Sequence, residues 1–418
     1  MNKLLLPILT IFSLSAMANT YVVKLKKNVN SLTALTSNSA VNQIEVKLSF
    51  GNYVSLNFKG QSLVDENEAL NEIRNNPNVL YVEPIRTYHA FGENIDDPKF
   101  TQQWGLENTG RNSRNIFMPG KKGVDIKAKL AWEISKGSNE IKVAVIDTGV
   151  DYNHSDLKEN ILINEAELNG KDGVDDDNNG YIDDVYGWDF SNNDNDPMDD
   201  HGHGTHCAGT IGASHNSIGI RGVMANVKIL PLKFLSAKGS GTSEAAAKAI
   251  DYAISRKVNV MSNSWGGGPR SKILEDAIIA ANNAGIVFVA AAGNERSNND
   301  QKDSFPANYK VDNVISVGAL DGRGAKASFS NYGHLTVHLF APGVNILSTV
   351  INDSYKKMSG TSMACPFVAG AAGLLLSTNP AMTPLEVKNR LMKTTDRERG
   401  LNAYSQSGSM NIFKMLRN

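Results

Sequence analysis

Apolar runs typical of buried strands alternate with helical segments from about residue 95 onward. The predicted strands lie at 141–146, 227–230, 258–262, 286–291 and 314–318. The predicted helices lie at 203–213, 243–255, 272–284, 361–377 and 384–393. This alternation predicts an α/β fold, with a mostly parallel twisted sheet and helices on both faces. Because active sites in such folds form at the carboxyl ends of the strands, polar residues that follow the strands are the first functional candidates.

The first eighteen residues have the pattern of an export signal. Lys3 precedes an apolar run over 4–14, and Ala16 and Ala18 form an A-x-A cleavage pattern. The run is too short to span a bilayer, and we expect no membrane span elsewhere in the chain. We therefore expect residues 1–18 to be removed as a signal peptide. The protein would be secreted, or periplasmic if it crosses only one membrane.

Residues 19–92 predict a separate, small α+β module with a ferredoxin-like order of elements. Its predicted strands lie at 21–26, 45–50, 53–58 and 79–84, with a helix at 65–75. Such a module between an export signal and a larger domain at 93–418 suggests a pro-segment. An ordinary accessory domain is the alternative.

Ser362 lies between a glycine turn and a small-residue helix near the C-terminus. A hydroxyl needs an adjacent base, an anion-stabilising donor and a fixed position before it becomes a nucleophile. Residues of the required types occur at strand or helix ends, namely Asp147 in Asp-Thr-Gly, His203 in His-Gly-Thr-His and Asn294 in Gly-Asn-Glu. Taken singly, Asp147 also suits a structural cap and Asn294 an exposed turn.

With these motifs in the order Asp, His, Asn and Ser, the chain from about residue 97 to its C-terminus resembles the subtilisin-like serine proteases, or subtilases. The resemblance implies a three-layer subtilisin-like sandwich and a serine endopeptidase that acts on proteins or peptides. It implies that Ser362 is the nucleophile, His203 the general base and Asp147 the carboxylate that orients the histidine. Asn294 would stabilise the oxyanion. His201 and His206 match no catalytic role, so we expect them to be structural.

The resemblance also implies a substrate cleft, in which two segments sandwich an extended peptide by main-chain pairing. They are Gly239, Ser240 and Gly241 in one segment and Ser264, Trp265 and Gly266 in the other. Ordinary glycine turns are the alternative for both. Ser304 matches the base of the pocket for the P1 side chain, the residue before the cleaved bond. Because Ser304 is small and neutral, we expect broad specificity with an apolar P1 preference, and Glu295 at the pocket mouth adds tolerance for basic residues.

Eleven aspartates and no lysine or arginine lie between residues 172 and 200. A solvated loop is one interpretation, and a site for Ca²⁺, which prefers oxygen ligands, is the other. The loop resembles an EF-hand but lacks the final glutamate. Its candidate ligands are Asp175, Asp177, Asn179 and Asp183. The family resemblance alone implies a second calcium site, with Asp97, Asp156, Ser214, Asn216, Ile218 and Ile220 as candidate ligands.

The size, position and ferredoxin-like order of residues 19–92 fit an inhibitor-type propeptide, which we expect to assist folding and then to be cut autocatalytically between about residues 87 and 94. We expect no organic cofactor and a monomer. Cys207 and Cys365 are the only cysteines. Two buried thiols are one interpretation, and a disulfide between them is the other.

Three other kinds of function are less compatible with the sequence. A net charge of −1 and the lack of a basic cluster argue against nucleic-acid binding. An inactive, calcium-stabilised binding protein of the same fold would have a broken triad or oxyanion motif, and all four motifs are intact. An α/β-hydrolase esterase would have a Gly-x-Ser-x-Gly elbow and the order Ser, Asp, His, neither of which occurs.

Overall fold

In a computed structural model of the chain, the described residues are 20–26, 44–50, 52–58, 70–84, 97–112, 119–397 and 400–417. The chain divides into two compact units, Met1–Glu93 and Asn94–Asn418. The predicted signal peptide and the predicted maturation segment at 87–94 lie outside the described residues.

The first unit contains an antiparallel sheet with the strand order β2-β3-β1-β4. The strands are β1 (Thr20–Leu25), β2 (Ile44–Phe50), β3 (Tyr53–Phe58) and β4 (Val79–Pro84). Helix α1 is described over 70–75, and the start predicted for it at residue 65 lies outside the described residues. Leu70 and Ile73 of α1 form a core with Val23, Val54 and Leu56 of the sheet. The described elements match the predicted α+β order.

The second unit is built on a seven-stranded sheet in the order β11-β10-β9-β8-β5-β7-β6, in which every neighbouring pair is parallel. Its strands are β5 (Gly137–Asp147), β6 (Trp188–Asp189), β7 (Asn226–Lys233), β8 (Val260–Asn263), β9 (Val287–Ala291), β10 (Val314–Leu320) and β11 (Leu339–Pro342). A hairpin of β12 (Ile346–Val350) and β13 (Ser354–Met358) is separate from this sheet. The predicted parallel sheet is confirmed.

Helices cover both faces of the sheet. They are α2 (Ala128–Ala131), α3 (Glu165–Leu168), α4 (His203–Gly212), α5 (Ser243–Ser255), α6 (Lys272–Asn283), α7 (Thr361–Thr378), α8 (Pro384–Lys393) and α9 (Ile412–Arg417). Successive side chains of β5 point to opposite faces. Val143 and Val145 join one core with α4 and α7, while Ala144 and Ile146 join the other with α5 and α6. The predicted three-layer sandwich is therefore present.

Helix α7 runs across five strands of the sheet, from β5 to β11. Among the described residues it is the one helix long and apolar enough to cross a membrane, and 83% of it is buried inside the protein. Because its apolar surface is covered by the sheet and by α4, its composition is accounted for by its place in the core. Its first turn lies at the carboxyl edge of the sheet, where the candidate site is found.

Candidate active site

Asp147 and His203 form a hydrogen-bonded pair at the end of β5. Asp147 is fully buried, and its Oδ1 lies 2.7 Å from Nδ1 of His203, the first residue of α4. The Thr148 N–H donates to the same oxygen at 2.8 Å. Since a carboxylate only accepts, Nδ1 carries the proton in the neutral imidazole, and Nε2 keeps a lone pair. His203 also borders the large cleft described below.

Opposing effects act on the pKa of His203. Burial disfavours its charged form, but the charge and hydrogen bond of Asp147, with a contribution from the charge of Asp199, outweigh burial and raise the pKa above its ordinary value of 6.5. His206 differs, because burial lowers its pKa to about 4. Its Nε2 lies 2.9 Å from the Ile346 carbonyl, which supports a structural role. His201 is exposed and borders the cleft, away from the core.

Ser362 is the second residue of α7 and is held against the end of β8. Its Oγ donates to the Ser264 carbonyl at 2.9 Å, and the Ser264 hydroxyl donates to the Ser362 carbonyl at 2.9 Å. Pro366 has no N–H to donate to the carbonyl four residues earlier, so the Ser362 carbonyl is available for this contact. Among the described residues, Ser362 makes no hydrogen bond to His203. Ser264 therefore fixes the backbone of Ser362 and sets its side-chain orientation in this structure.

Asn294 follows β9 and faces the start of α7. Its Oδ1 accepts from the Thr361 N–H at 2.9 Å and from Thr361 Oγ1 at 3.1 Å. Because a backbone N–H can only donate, this contact orients the amide and leaves the Nδ2 group on the other side. A Cβ built on Gly360 would lie 3.6 Å from N of Ser362 and 3.7 Å from Nδ2 of Asn294. The two donors thus border one small space beside the Ser362 backbone.

The two predicted peptide-binding segments line one cleft of about 710 Å³. Residues 239–241 form one wall and residues 264–268 the other, and His203, Asn294 and Ser362 lie along the same cleft. The Trp265 Nε1–H donates to the Ile146 carbonyl at 2.9 Å, and its ring packs on Phe234 with centroids 4.8 Å apart. The indole is therefore fixed in the cleft wall.

A second cavity of about 260 Å³ opens beside Ser362 and Asn294. Ser304 and Glu295, the two residues that the sequence assigns to the P1 pocket, both border it. Glu295 is oriented by Asn331, whose Nδ2 donates to its carboxylate at 2.8 Å. Lys302 and Asp303, directly before Ser304 in the chain, also border the cavity. The cavity thus combines a neutral serine with two carboxylates and one ammonium group.

Cys207 and Cys365 are free thiols, and both are fully buried. Cys207 lies under the nucleophile candidate, with its Sγ 3.5 Å from the Ser362 carbonyl oxygen. Burial raises the pKa of both thiols, that of Cys365 to about 11. The sequence left open either two buried thiols or a disulfide, and the structure shows two buried free thiols.

The acidic loop brings together fewer of its predicted ligands than the sequence suggested, and adds another residue. Carboxylate oxygens of Asp175 and Asp177 lie within 4.8 Å of each other and of Glu167, which the sequence analysis missed. Asp183 and Asn179 are outside this group, and they accept backbone N–H groups from Gly173 and Tyr181 respectively. The donor set of three carboxylates fits a hard divalent cation. Arg256, at the end of α5, donates to Asp177 at 3.1 Å and neutralises part of this charge.

The candidate ligands of the second predicted calcium site lie on and around the loop at 214–220. Asp156 is fully buried there, and its Oδ1 has no hydrogen-bond partner, as is also true of Ser214 Oγ. An unpartnered buried carboxylate oxygen fits a bound cation. Asp97 differs, because its Oδ2 accepts from Nε of Arg221 at 2.5 Å. Its Oδ1 accepts from the N–H groups of residues 216 and 217. A protein cation thus already balances the Asp97 charge.

Within the same loop, Asn216 Oδ1 accepts from the N–H of Ile218, and Ile220 N–H donates to Asp156 Oδ2 at 2.9 Å. These bonds hold Asp156 on the loop that carries the remaining candidate ligands. The residues around Asp156 fit a calcium site better than Asp97 does.

Comparisons with known proteins agree with this geometry. A model of the Subtilase family matches residues 138–410, a range that includes Asp147, His203, Asn294 and Ser362. The thermophilic serine proteinase of Bacillus sp. (strain AK1) is 37% identical over 342 residues, which cover 82% of this chain and 73% of that protein. Thermitase of Thermoactinomyces vulgaris is 38% identical over 290 residues, which cover 69% of this chain and 92% of thermitase. A crystal structure of a cold adapted subtilisin-like serine proteinase matches with a TM-score of 0.56 and 31% identity, covering 74% of this chain and 97% of that chain.

Proposed function

This chain belongs to the subtilase family of serine endopeptidases, and we propose that it cleaves peptide bonds through an Asp147, His203 and Ser362 triad. The observation that carries the proposal is the 2.7 Å hydrogen bond between the buried Asp147 and His203, which borders the same cleft as Ser362. The family membership supports it independently, because the matched range includes all three residues.

In the proposed mechanism, Ser362 Oγ attacks the carbonyl carbon of the cleaved peptide bond, and Nε2 of His203 takes its proton. Rotation of Ser362 about its Cα–Cβ bond, away from the Ser264 carbonyl, is needed to direct the hydroxyl to His203. Asp147 keeps the imidazole in the correct tautomer and stabilises its charged form. The negative oxygen of the tetrahedral intermediate accepts from Nδ2 of Asn294 and from the Ser362 N–H.

His203 then gives its proton to the leaving amine, and an acyl-enzyme remains on Ser362. A water molecule, deprotonated by His203, hydrolyses this ester and regenerates the free hydroxyl. The first N–H groups of α7 have no partner within the helix, so its N-terminus is suited to an anion beside Ser362.

Ser362→Ala tests the nucleophile directly. We expect the full-length variant to lose casein hydrolysis, while Ser359→Ala, three residues earlier on the exposed turn, retains it. The Ser359 hydroxyl accepts from the Asn345 N–H and does not border the cleft. Casein hydrolysis by purified Ser362→Ala at the wild-type rate would refute the triad.

We further propose that the protein is an exported zymogen, secreted or periplasmic. Its first unit would assist the folding of the second unit and then inhibit its protease activity. The export pattern at 1–18 and the α+β order of residues 19–92 support this proposal. Mass spectrometry of purified wild type and Ser362→Ala tests it. We expect cleavage between about residues 87 and 94 only in the wild type. Identical trimming of both proteins, without added protease, would contradict self-processing.

For specificity, we propose a broad range of substrates with an apolar P1 preference. The neutral Ser304 on the second cavity supports an apolar side chain. Glu295 and Asp303 on the same cavity support tolerance for lysine and arginine. A peptide library resolved by the residue before each cleavage tests this proposal. Dominance of aspartate or glutamate at that position would overturn it.

We also propose that structural Ca²⁺ binds at Glu167, Asp175 and Asp177, and at Asp156 with the loop at 214–220. The convergent carboxylates and the unpartnered Oδ1 of Asp156 support these sites. A cation bound only by the native state would neutralise charges that otherwise repel and would stabilise the fold. A lower Tm of the purified protein in excess chelator, restored by added calcium, is the expected result. An unchanged Tm would contradict both sites.

A further inference from the structure

Asp199 is a buried carboxylate just before α4, with 4% of its surface exposed. Its Oδ1 accepts from the Thr148 hydroxyl at 2.8 Å and from the N–H groups of His201 and Gly202, each at 2.9 Å. Its Oδ2 accepts from the Thr205 N–H at 2.9 Å and from the Thr205 hydroxyl at 2.6 Å. Five donors thus converge on one side chain, which fixes its position.

These donors come from the two segments that carry Asp147 and His203. Thr148 directly follows Asp147, while Gly202 and Thr205 lie on either side of His203. The Thr148 hydroxyl, in addition to donating to Asp199, accepts from the Gly204 N–H at 2.9 Å. Asp199 and Thr148 therefore connect the end of β5 to the first turn of α4.

The charge of Asp199 is balanced mainly by backbone dipoles. In the part of the chain that the structure describes, no ion pair involves Asp199, since the nearby Lys233 pairs with Asp200 at 2.8 Å. Three of the five donors are N–H groups at or just before the start of α4, where a negative charge is favoured. These N–H groups offset the charge of the Asp199 carboxylate, which acts on the imidazole of His203.

The groups around His203 come from three elements. Asp147 faces it from β5 and Asp199 from the preceding loop, and both favour the charged imidazole. His206 and Cys207 lie one turn later on α4, where burial keeps both neutral. The ring of His201 lies 6.2 Å away, centroid to centroid. Asp199 is therefore the second negative charge that acts on the histidine.

We propose that Asp199 is a positioning residue for peptide hydrolysis, which holds the Asp147 segment and the start of α4 in the register that preforms the Asp147–His203 hydrogen bond. The inference rests on the triad proposed above. Asp199 touches neither substrate nor reacting atoms. It acts through His203, by fixing the geometry of the pair and by stabilising the positive charge that His203 acquires when it takes the serine proton.

Asp199→Asn keeps the size of the side chain, removes its charge and presents an NH₂ group to N–H or O–H donors. We expect kcat per active site, counted by titration with a sulfonyl fluoride, to fall about 10- to 100-fold, because small misplacements of catalytic groups cost rates of that order. KM should change little. The acidic limb of the kcat/KM profile should move to lower pH, since one negative charge near His203 is lost.

Two variants of Thr148 separate the positioning effect from the charge effect. Thr148→Val removes the hydroxyl that links Asp199 to Gly204 but leaves the Asp199 charge in place. It should lower kcat while leaving the acidic limb near its wild-type position. Thr148→Ser keeps the hydroxyl and should restore most of kcat. Equal kcat values for the Val and Ser variants would overturn the positioning role even if Asp199→Asn fails to fold.

Asp189→Asn is the matched control. Asp189 is 1% exposed and accepts the N–H groups of Ser191 and Asn192 at 2.6 and 3.0 Å. We expect this variant to lower Tm without changing kcat per titrated site or the acidic limb. If Asp199→Asn lowers Tm but keeps the wild-type kcat per titrated site and the wild-type acidic limb, Asp199 has only a structural role. Peptide hydrolysis by Ser362→Ala would instead refute the triad. Failure of the proposed function can therefore be distinguished from failure of the Asp199 proposal.

Discussion

Gly204 allows α4 to approach the segment after Asp147 more closely than a residue with a Cβ could. A Cβ built on Gly204 would lie 2.0 Å from the Gly149 carbonyl oxygen and 3.1 Å from Cβ of Asp147. Ordinary contacts of a Cβ begin at 3.4 Å, so Gly204→Ala must separate the two backbones by more than about 1 Å. That separation directly opposes the Asp147–His203 hydrogen bond.

The expected loss of rate follows from this distance. The Oδ1–Nδ1 distance between Asp147 and His203 is now 2.7 Å. If half of the separation is added to this distance, it exceeds the usual upper limit of about 3.2 Å for N–H···O bonds. A misplacement of about 1 Å costs about 10²-fold, and complete loss of the orienting carboxylate about 10⁴-fold. We therefore expect Gly204→Ala to lower kcat per titrated site by about 10²- to 10⁴-fold, with KM nearly unchanged.

Gly209→Ala is the control, because it produces a similar overlap on the same helix. A Cβ on Gly209 would lie 2.1 Å from Thr349 Oγ1 and 2.6 Å from Ser348 Oγ, on the side of α4 that faces β12. We expect it to lower Tm without the large loss in kcat. Peptide hydrolysis and thermal unfolding of both variants check this. Wild-type kcat in Gly204→Ala, or an equal loss in Gly209→Ala, would refute the argument.

Other predictions concern the oxyanion donor, the pH profile and the acidic loop. Asn294→Ala should lower kcat about 10²- to 10³-fold in steady-state kinetics, with little change in KM. This magnitude is that of the corresponding donor in subtilisin, a member of the same family. An effect confined to KM would contradict the oxyanion role. Because His203 must be neutral to accept a proton and its pKa is raised, kcat/KM should fall as pH decreases through a value above 6.5; a limb below 6.5 would contradict this. Glu167→Gln should shrink the fall in Tm caused by chelator; an undiminished fall would exclude Glu167 as a ligand.

The buried strands and long helices could be predicted from the sequence because each produces a strong local pattern. Strands covered on both faces are continuous apolar runs, which is why β5 and β7 to β10 overlap the predicted segments. Helix α8 begins at the predicted residue because Thr383 and Glu386 form a capping box around Pro384. Strands β6, β11, β12 and β13 lie outside the predicted strands, and β6, with two residues, is too short to establish a period.

Site residues that depend on distant parts of the chain could not be predicted in the same way. Asp147, His203, Asn294 and Ser362 each lie in a local motif at the end of an element. Arg221 reaches Asp97 across 124 positions, and no local pattern indicates that contact.

Asp199 and Glu167 illustrate the same limit within acidic stretches. Asp199 differs from its neighbours because the fold surrounds it with hydrogen-bond donors. Glu167 differs because the fold places two other carboxylates beside it. The eleven aspartates between 172 and 200 look alike in sequence. Only the three-dimensional arrangement separates Asp199, beside the histidine, from Asp175 and Asp177, beside Glu167.

The strand order explains how the proposed base and oxyanion donor come to lie on opposite sides of the nucleophile. Strand β8 pairs with β5 on one side and with β9 on the other, all three parallel, so their carboxyl ends share one edge. Asp147 ends β5 and Asn294 lies three residues beyond β9, and these two strands are two spacings or about 10 Å apart. Ser264, after the central β8, holds the Ser362 carbonyl between them. In the proposed mechanism, this order lets His203 take the serine proton from the β5 side while Asn294 stabilises the oxyanion from the β9 side.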